Sequence, residues 1–288
     1  MNGIMRHPSF ILLLIMLLCG NMLLNAQPSK TVKAKRFIYQ FTFQPDTTDK
    51  NTLIKEDFAL DVFDKHSRFI SLRLIRLREH QDSLQKAIEA RGTIDGMLIR
   101  APKETQAPKF IIYKFPGNAV EVHEKIGKEN FAYREDLSHV SWEVLDATTS
   151  FAGYNCQLAK AHFGGRNWNA LFTTQIPISD GPYKFSGLPG LILKMWDDRE
   201  HTFFELIQAV NMRVVKDIPP AKIVAKKDLP QIRDNQIMAG FNMLFPPAPA
   251  GRESVGLKNL DGKTLTREDM LKRMSDMKNK FNNKLEIY

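Results

Sequence analysis

The chain has 288 residues, of which 43% are hydrophobic and 25% are charged, and its formal net charge is +9. This length suits one large domain or two small ones, and 19 phenylalanines are enough for an ordinary hydrophobic core. The positive charge would help the protein to dock on anionic surfaces, but it identifies no partner. With only two cysteines, the composition excludes a disulfide-rich scaffold.

The N-terminus has the pattern of a secretory signal peptide. Arg6 supplies a positive charge ahead of a strongly apolar stretch that extends to residue 24. Residues 10–24 would span about 22 Å as a helix, which is too short for a bilayer core of about 30 Å. We therefore expect residues 1–26 to be a signal peptide that is cleaved after Ala26, not a membrane anchor.

The cysteines limit the redox chemistry that we expect. Leu18 precedes Cys19 where a lipoprotein would need a small residue, so no lipid anchor is predicted there. Cleavage would remove Cys19, and Cys156 alone can form no internal disulfide even in an oxidising compartment. No second apolar run is long enough for a spanning helix, so we expect no transmembrane segment after cleavage.

Hydrophobic periodicity predicts strands and one helix in the first part of the chain. Alternating aromatic residues indicate a half-buried strand over residues 37–43, and further strands are predicted over residues 58–63 and 67–71. Leucines at helical spacing then predict an amphipathic helix of roughly four to five turns that ends near Gly92.

Hairpins dominate the middle of the chain. Four short strands are predicted, at residues 110–115, 119–126, 130–133 and 141–145. The strongest hairpin pairs residues 156–163 with 166–173 around Gly164-Gly165, which suits a tight two-residue turn. One face of this hairpin should belong to the core and the other should be largely wet. The expected core residues are Ala159, Ala161, Phe163, Trp168, Ala170 and Phe172.

A loop rich in glycine and proline, two strands and two helices complete the prediction. The strands cover residues 191–196 and 202–210, and the helices cover residues 229–244 and 267–280, with Thr266 and Asp269 spaced as an N-cap box. We expect an α+β fold with one large, mainly antiparallel β-sheet of about eight to ten strands, with a curved or half-barrel sheet as one form of it. An amphipathic helix follows the first strands, and further helices lie near the C-terminus.

Residue spacing indicates no metal, cofactor or nucleic-acid site. The histidines are scattered, and the chain has neither an HExxH motif nor a paired-cysteine spacing. Basic residues are dispersed without interleaved aromatic residues, so nucleic-acid binding is not predicted. We expect no bound metal, no cofactor and no nucleic acid.

Candidate nucleophiles lack a supporting context. Cys156 has no base among its sequence neighbours, so a packing role in a half-buried strand position is favoured. Ser186 lacks the preceding glycine and the strand–turn–helix order of a nucleophile elbow, since a strand follows it. An alternative remains open, in which a hydrolase site assembles from distant residues such as Ser186, His162 and Asp180.

The loop at residues 179–190 carries the best polar candidates. Asp180 is expected either to hydrogen-bond its own turn or to pair with Arg166, which would pin the loop to the neighbouring hairpin. Arg166 is also suited to an acidic ligand. A type II turn with positive φ is predicted at Gly190. The candidate binding or loop-organising residues are Arg166, Trp168, Asp180, Gly181, Pro182, Tyr183, Gly187, Leu188, Pro189 and Gly190.

Four segments carry a family resemblance. Residues 187–192 read GLPGLI, and residues 153–159, 165–170 and 176–185 match the other segments in order. The chain resembles the GLPGLI family of Bacteroidetes envelope proteins, most specifically over residues 140–210. The tail from Asn282 to Glu286 is similar to the family's tail, with Lys284 in the place of a proline.

The resemblance implies a single domain at residues 27–288, a signal peptide and a place in the cell envelope. The family has no established enzymatic activity. The resemblance also implies that its members are similar to proteins encoded beside the genes of TonB-dependent outer-membrane receptors. We therefore expect an exported protein, periplasmic or outer-membrane-associated, with the cell surface and secretion as further options. Our leading hypothesis is a non-enzymatic binding or accessory module linked to outer-membrane transport.

That hypothesis names two partner classes, a TonB-dependent outer-membrane receptor and an envelope lipid. The alternatives are the distributed hydrolase site and a purely structural envelope component, so catalysis is left undecided although a non-enzymatic role is favoured. The sequence leaves open the ligand, the side of the outer membrane, the oligomeric state and the role of Cys156.

Overall fold

A computed structural model describes residues 31–91, 109–215, 218–247, 257–258 and 264–280. The predicted signal peptide and the family-like tail lie outside these residues. The chain divides into two compact units, residues 1–32 with 213–218 and residues 33–212 with 219–288. In the first unit, Arg213 Nη2 donates to the carbonyl oxygen of Thr31 at 3.0 Å. The candidate site lies wholly in the second unit.

One large open sheet of twelve strands is the main element of the described part of the chain. Its strands are β1 (Thr31–Phe43), β2 (Ile54–Val62), β3 (Ser67–Ser71), β4 (Phe110–Phe115), β5 (Ala119–Ile126), β6 (Glu129–Asp136), β7 (Trp142–Phe151), β8 (Tyr154–Phe163), β9 (Arg166–Thr173), β10 (Leu191–Asp197), β11 (Thr202–Val215) and β12 (Lys222–Ile223). Their order in the sheet is β12-β6-β5-β4-β3-β2-β1-β11-β10-β9-β8-β7. β12 pairs with β6 in parallel, whereas the neighbouring strands from β6 to β1 and from β11 to β7 pair in antiparallel order. A separate ribbon pairs β13 (Leu257–Lys258) with β14 (Thr264–Leu265).

This architecture confirms the predicted α+β class and its mainly antiparallel sheet. The sheet has twelve strands, not eight to ten, because even the short predicted strands pair and the two-residue β12 adds to β6. Three α-helices occur in the described part of the chain: α1 (Leu72–Arg91), α2 (Leu229–Leu244) and α3 (Arg267–Lys280). No helix among these residues is long and apolar enough to cross a membrane.

Two of the helices carry the local features that the sequence predicts. The α3 helix begins with a capping box, in which Asp269 N donates to Thr266 Oγ1 at 3.1 Å and Thr266 N donates to Asp269 Oδ2 at 2.9 Å. The first turn of α1 packs Leu72, Leu74 and Ile75 against a small cluster of apolar residues on one face of the sheet.

An aromatic cluster forms the centre of the larger core. Phe41 of β1 packs edge-on against Phe58 of β2 at 5.6 Å between ring centroids, and it stacks on Phe204 of β11 at 4.9 Å. Phe58 stacks on Phe69 of β3, also at 4.9 Å. These contacts join four neighbouring strands, and each aromatic pair contributes about 0.5–1.5 kcal/mol beyond its buried area.

The hairpin of β8 and β9 has the predicted register. Phe163 pairs with Arg166, and Gly164 and Gly165 have φ values of 59° and 72°, the positive angles that a type I′ turn requires. The predicted core face is confirmed, since all six of its residues are buried.

Arg166 does not pair with Asp180, contrary to one sequence prediction. Its Nη1 donates to Asp197 Oδ2 at 2.6 Å, and both side chains are almost fully buried. Asp197 Oδ1 accepts hydrogen bonds from the backbone nitrogens of His201 and Thr202 at 2.9 and 2.8 Å. Because Asp197 ends the strand that pairs with β9, it lies beside Arg166 and fixes the turn into β11.

Replacing Arg166 with methionine should destabilise the protein strongly. The variant would leave the Asp197 carboxylate buried without a cation, at a cost of about 3–5 kcal/mol in the free energy of unfolding. Urea unfolding measures this loss. The control is Asn167→Ala, which removes exposed hydrogen bonds to Asp198 and His162 and should cost less than about 1 kcal/mol. An equal loss of unfolding free energy in the two variants would show that the buried Arg166–Asp197 pair matters no more than an exposed hydrogen bond.

Candidate functional site

A pocket of about 310 Å³ opens beside the loop at residues 179–190, which we call the motif loop. The loop forms one wall with residues 184–189. The other lining residues come from β7, from the connection between β6 and β7, from the end of β8 and from the turn between β4 and β5. These residues are Asn118, Leu137, Val140, Trp142, Val144 and Phe163. Most of the lining side chains are apolar, but polar atoms form the larger part of the exposed wall. This motif pocket therefore suits a ligand that carries both apolar and polar groups.

A buried lysine holds the motif loop on the sheet. Lys114 of β4 donates from Nζ to the carbonyl oxygens of Gly181 at 2.5 Å and Phe185 at 3.2 Å, and it pairs with the Asp180 carboxylate. The Lys114 side chain is only 5% exposed. Burial lowers the pKa of Lys114, while the neighbouring charge of Asp180 and their hydrogen bond raise it in part.

Asp180 thus has a different partner from the one that the sequence suggested. It pairs with Lys114 because the loop crosses over β4, whereas Arg166 is already engaged by Asp197. The predicted turn contact is present as well, since Gly181 N donates to Asp180 Oδ1 at 2.8 Å. Sequence reasoning missed Lys114, although a lysine in the apolar strand F-I-I-Y-K-F was the signal that could have revealed it.

A second buried lysine, Lys184, belongs to the motif loop and contacts residues of the sheet. Lys184 Nζ donates to Glu135 Oε2 at 2.5 Å and to the Tyr133 hydroxyl at 3.1 Å, both on β6. It also lies 5.2 to 5.7 Å from the ring centroids of Tyr133, Phe163 and Tyr183. Such cation–π contacts are strongest when the cation is desolvated, as it is here.

The backbone of the loop contradicts the type II turn that was predicted at Gly190. Positive φ occurs instead at Gly187, with 96°, and at Tyr183, with 57°. At Gly190 the reason for glycine is space, because a Cβ there would lie 2.1 Å from the carbonyl oxygen of Thr173. Glycine is therefore needed because two backbones approach closely here. A glycine after a proline in the sequence is compatible with both a type II turn and such a close approach, so the pattern could not distinguish them.

The remaining predicted residues divide between the pocket and the core. Gly187, Leu188 and Pro189 line the pocket, although Leu188 is only 1% exposed. Trp168 is fully buried and donates from Nε1 to the Phe163 carbonyl at 3.1 Å, so it packs in the core as expected. Two further loop residues, Pro182 and Tyr183, are buried.

Trp142 closes the pocket and was not among the predicted site residues. Its Nε1 donates to the Ser186 carbonyl oxygen at 2.8 Å, which ties the start of β7 to the motif loop. Its ring lies 5.9 Å from that of Phe185. A tryptophan at the start of a strand gives no sequence signal for this contact, because the partner is 44 residues away.

The residues of the hypothetical hydrolase site are only partly brought together. Asp180 and Ser186 form an isolated antiparallel bridge within the loop. The exposed His162 has its Nδ1 2.9 Å from Asn167 Oδ1 on the wet face of the hairpin. The Asp180 carboxylate faces Lys114, not a histidine. Within the described residues, no group of three or more His, Cys, Asp or Glu side chains is placed to hold a metal ion.

Cys156 is more deeply buried than the half-buried position that was predicted. It is 2% exposed and belongs to the main apolar core. Its Sγ lies 3.5 Å from the carbonyl oxygen of Tyr154. Burial raises the pKa of the Cys156 thiol, and a hydrogen bond with the backbone of Phe151 lowers it only in part.

One sequence likeness to known proteins covers this site. Residues 164–194 match a family described as "Protein of unknown function (Porph_ging)". This stretch runs from the Gly-Gly turn through β9 and the motif loop into β10. The match fits a Bacteroidetes-type envelope family of unknown function. The GLPGLI resemblance is compatible with it.

The fold is similar to that of a solved structure of PNGF-II in space group P21, with a TM-score of 0.50 and 10% sequence identity. The alignment covers 81% of this chain and 37% of that chain. A structure of PNGF-II in space group C2 gives a TM-score of 0.47 and 12% identity, over 80% of this chain and 37% of that chain. At such identity the likeness concerns the fold alone. No curated protein matches the chain significantly.

Replacing Gly190 with alanine should cost several kcal/mol, because a Cβ at this position overlaps the Thr173 carbonyl and must push two backbones apart. Thermal or urea unfolding measures the loss. The control is Gly240→Ala in α2, where a Cβ would meet no atom within 4 Å. This substitution should stabilise the helix by up to about 1 kcal/mol. A Gly190 variant as stable as the parent would show that the close approach is not required.

The Cys156 thiol should be unreactive in the folded protein. Because its pKa is raised, the thiolate fraction at pH 8 is below that of an ordinary thiol, and burial blocks access as well. We expect Ellman's reagent to react with it only after unfolding in urea, with native labelling slower by about a hundredfold or more. Immediate stoichiometric labelling at pH 8 without urea would contradict the buried position.

Proposed function

We propose that this chain is an exported cell-envelope protein that binds a partner or ligand in the motif pocket, without catalysis, as an accessory to outer-membrane transport. The observation that carries the proposal is the rigid wall of the pocket. Lys114 and Lys184 hold the motif loop from opposite directions, so the pocket is formed before any ligand arrives. A preformed site avoids the entropic cost of ordering a loop on binding.

The bonding of polar groups near the pocket supports binding over catalysis. Lys184 Nζ is engaged by Glu135 and Tyr133, and the indole nitrogen of Trp142 is engaged by the Ser186 carbonyl. A catalytic acid, base or nucleophile must instead reach the substrate within hydrogen-bond distance. Groups that already hydrogen-bond one another give the pocket shape and polarity, which is what recognition requires.

The link to the envelope and to transport has a different support. The signal-peptide pattern at residues 1–26 supports export, and the family resemblance supports a place in the envelope. The transport role is supported by the family's association with TonB-dependent receptor genes, which the resemblance implies. A purely structural envelope component would use the same fold but would need no pocket.

Site-specific photo-crosslinking tests this proposal. A photoreactive phenylalanine at Val144, which lines the pocket and is 45% exposed, should capture an outer-membrane TonB-dependent receptor in membranes of the natural host. The control position is Ile237 on α2, which is 54% exposed and lies outside the pocket lining. We expect receptor adducts from position 144 at least about tenfold above those from position 237.

Equal yields at the two positions, or no adduct at either, would reject binding at the motif pocket. A lipid adduct at position 144 alone would keep the pocket as a binding site and remove the receptor as its partner.

A further inference from the structure

Strand β7 ends the sheet, and no other strand in the described part of the chain pairs with its outer edge. It is ten residues long, which corresponds to an edge of about 33 Å. An edge of this kind presents a row of backbone donors and acceptors that matches another extended chain. Short strands, lysines, prolines and bulges commonly protect such edges. β7 contains neither lysine nor proline, and its one irregularity, between Val144 and Thr148, leaves residues 142–144 in regular register with β8.

An apolar row of the core runs directly to this edge. Met195, Ala170, Ala159 and Val144 lie side by side on four neighbouring strands. The first three are completely buried, whereas Val144 is 45% exposed. The row therefore stops at the edge with an apolar side chain that has water on its outer side. A further strand would continue the row and cover Val144.

The same edge borders the motif pocket. Trp142 and Val144 belong to β7 and line the pocket, and the motif loop forms its other wall. A chain that paired with the first residues of β7 would bring one of its side chains close to the pocket mouth. The mixed wall of apolar side chains and polar atoms is suited to a peptide, which carries both kinds of group.

The charges on β7 restrict the partner further. Its ten residues include Glu143 and Asp146 and no cationic residue. Glu143 lies opposite Lys160 of β8, but Asp146 lies where the β7–β8 register shifts between Val144 and Thr148. The exposed Asp146 carboxylate is therefore available to a basic side chain from outside.

We infer that the occupant of the motif pocket is an extended polypeptide segment, with apolar residues alternating with lysine or arginine, that adds to β7 as a further strand. This inference rests on the proposed binding function of the pocket and specifies its ligand class. Backbone hydrogen bonds to β7 would supply affinity, while the pocket and Asp146 would select the side chains.

The test uses fluorescent ten-residue peptides that alternate valine with lysine and threonine. A matched peptide carries N-methyl groups on alternate backbone nitrogens and so loses its donors on the edge that pairs. We expect N-methylation to weaken binding at least about tenfold, as measured by anisotropy. Amide hydrogen exchange in residues 142–151 should slow with the first peptide only.

Two variants localise the binding. Val144→Lys places a charge at the end of the apolar row and should weaken peptide binding at least about tenfold. Glu143→Gln is the matched control on the opposite face and should change affinity less than about threefold. Both residues are already exposed, so we expect both variants to fold. Circular dichroism and thermal unfolding check this.

Equal binding of the methylated and unmethylated peptides would overturn strand addition. Strand addition would also be overturned if the peptides do not bind while phosphatidylglycerol vesicles or the dye 1-anilinonaphthalene-8-sulfonate do bind, and if Val144→Lys abolishes that binding. The pocket would then remain a binding site for another ligand. If none of these probes binds, both the strand addition and the binding function of the pocket are rejected.

Discussion

The buried ammonium group of Lys114 connects the sheet to the motif loop, and the form of the pocket depends on this connection. An isolated ammonium ion in a protein interior costs several kcal/mol. Here a carboxylate and two backbone carbonyls take the place of water, and all three belong to the loop. The three acceptors surround Lys114 only when the loop has its observed path, so the charge selects one conformation of the loop.

The lowered pKa of Lys114 compares the cost of burying its charge with the support that Asp180 gives to that charge. Burial opposes the charged form of Lys114 more than Asp180 supports it, as expected for a buried ion pair whose main effect is to specify one position. Between the lowered pKa and the usual value of 10.5, the unfolded chain binds more protons than the folded chain. The contribution of Lys114 to stability therefore rises with pH in that window.

Local patterns predicted the elements well because helices and hairpins are encoded by period and turn chemistry. The Gly164-Gly165 turn and the boundaries of α2 and α3 are cases of this kind. The partners of the buried charges could not be predicted, because they depend on which strands become neighbours. Lys114 and Asp180 are 66 residues apart, and nothing in an alternating pattern states that the loop crosses β4.

The motif acts through packing, and this explains how it can build a site without reactive groups. Leu188 is inserted into the core, Gly190 passes close to the Thr173 carbonyl, and Gly187 adopts a backbone angle that other residues avoid. These constraints leave Gly187 and Pro189 exposed as one wall of the pocket. On the opposite wall Asn118 also has a positive φ, of 62°, whereas Val140 and Val144 do not. The side chains at positions 140 and 144 can therefore vary without a change in the motif.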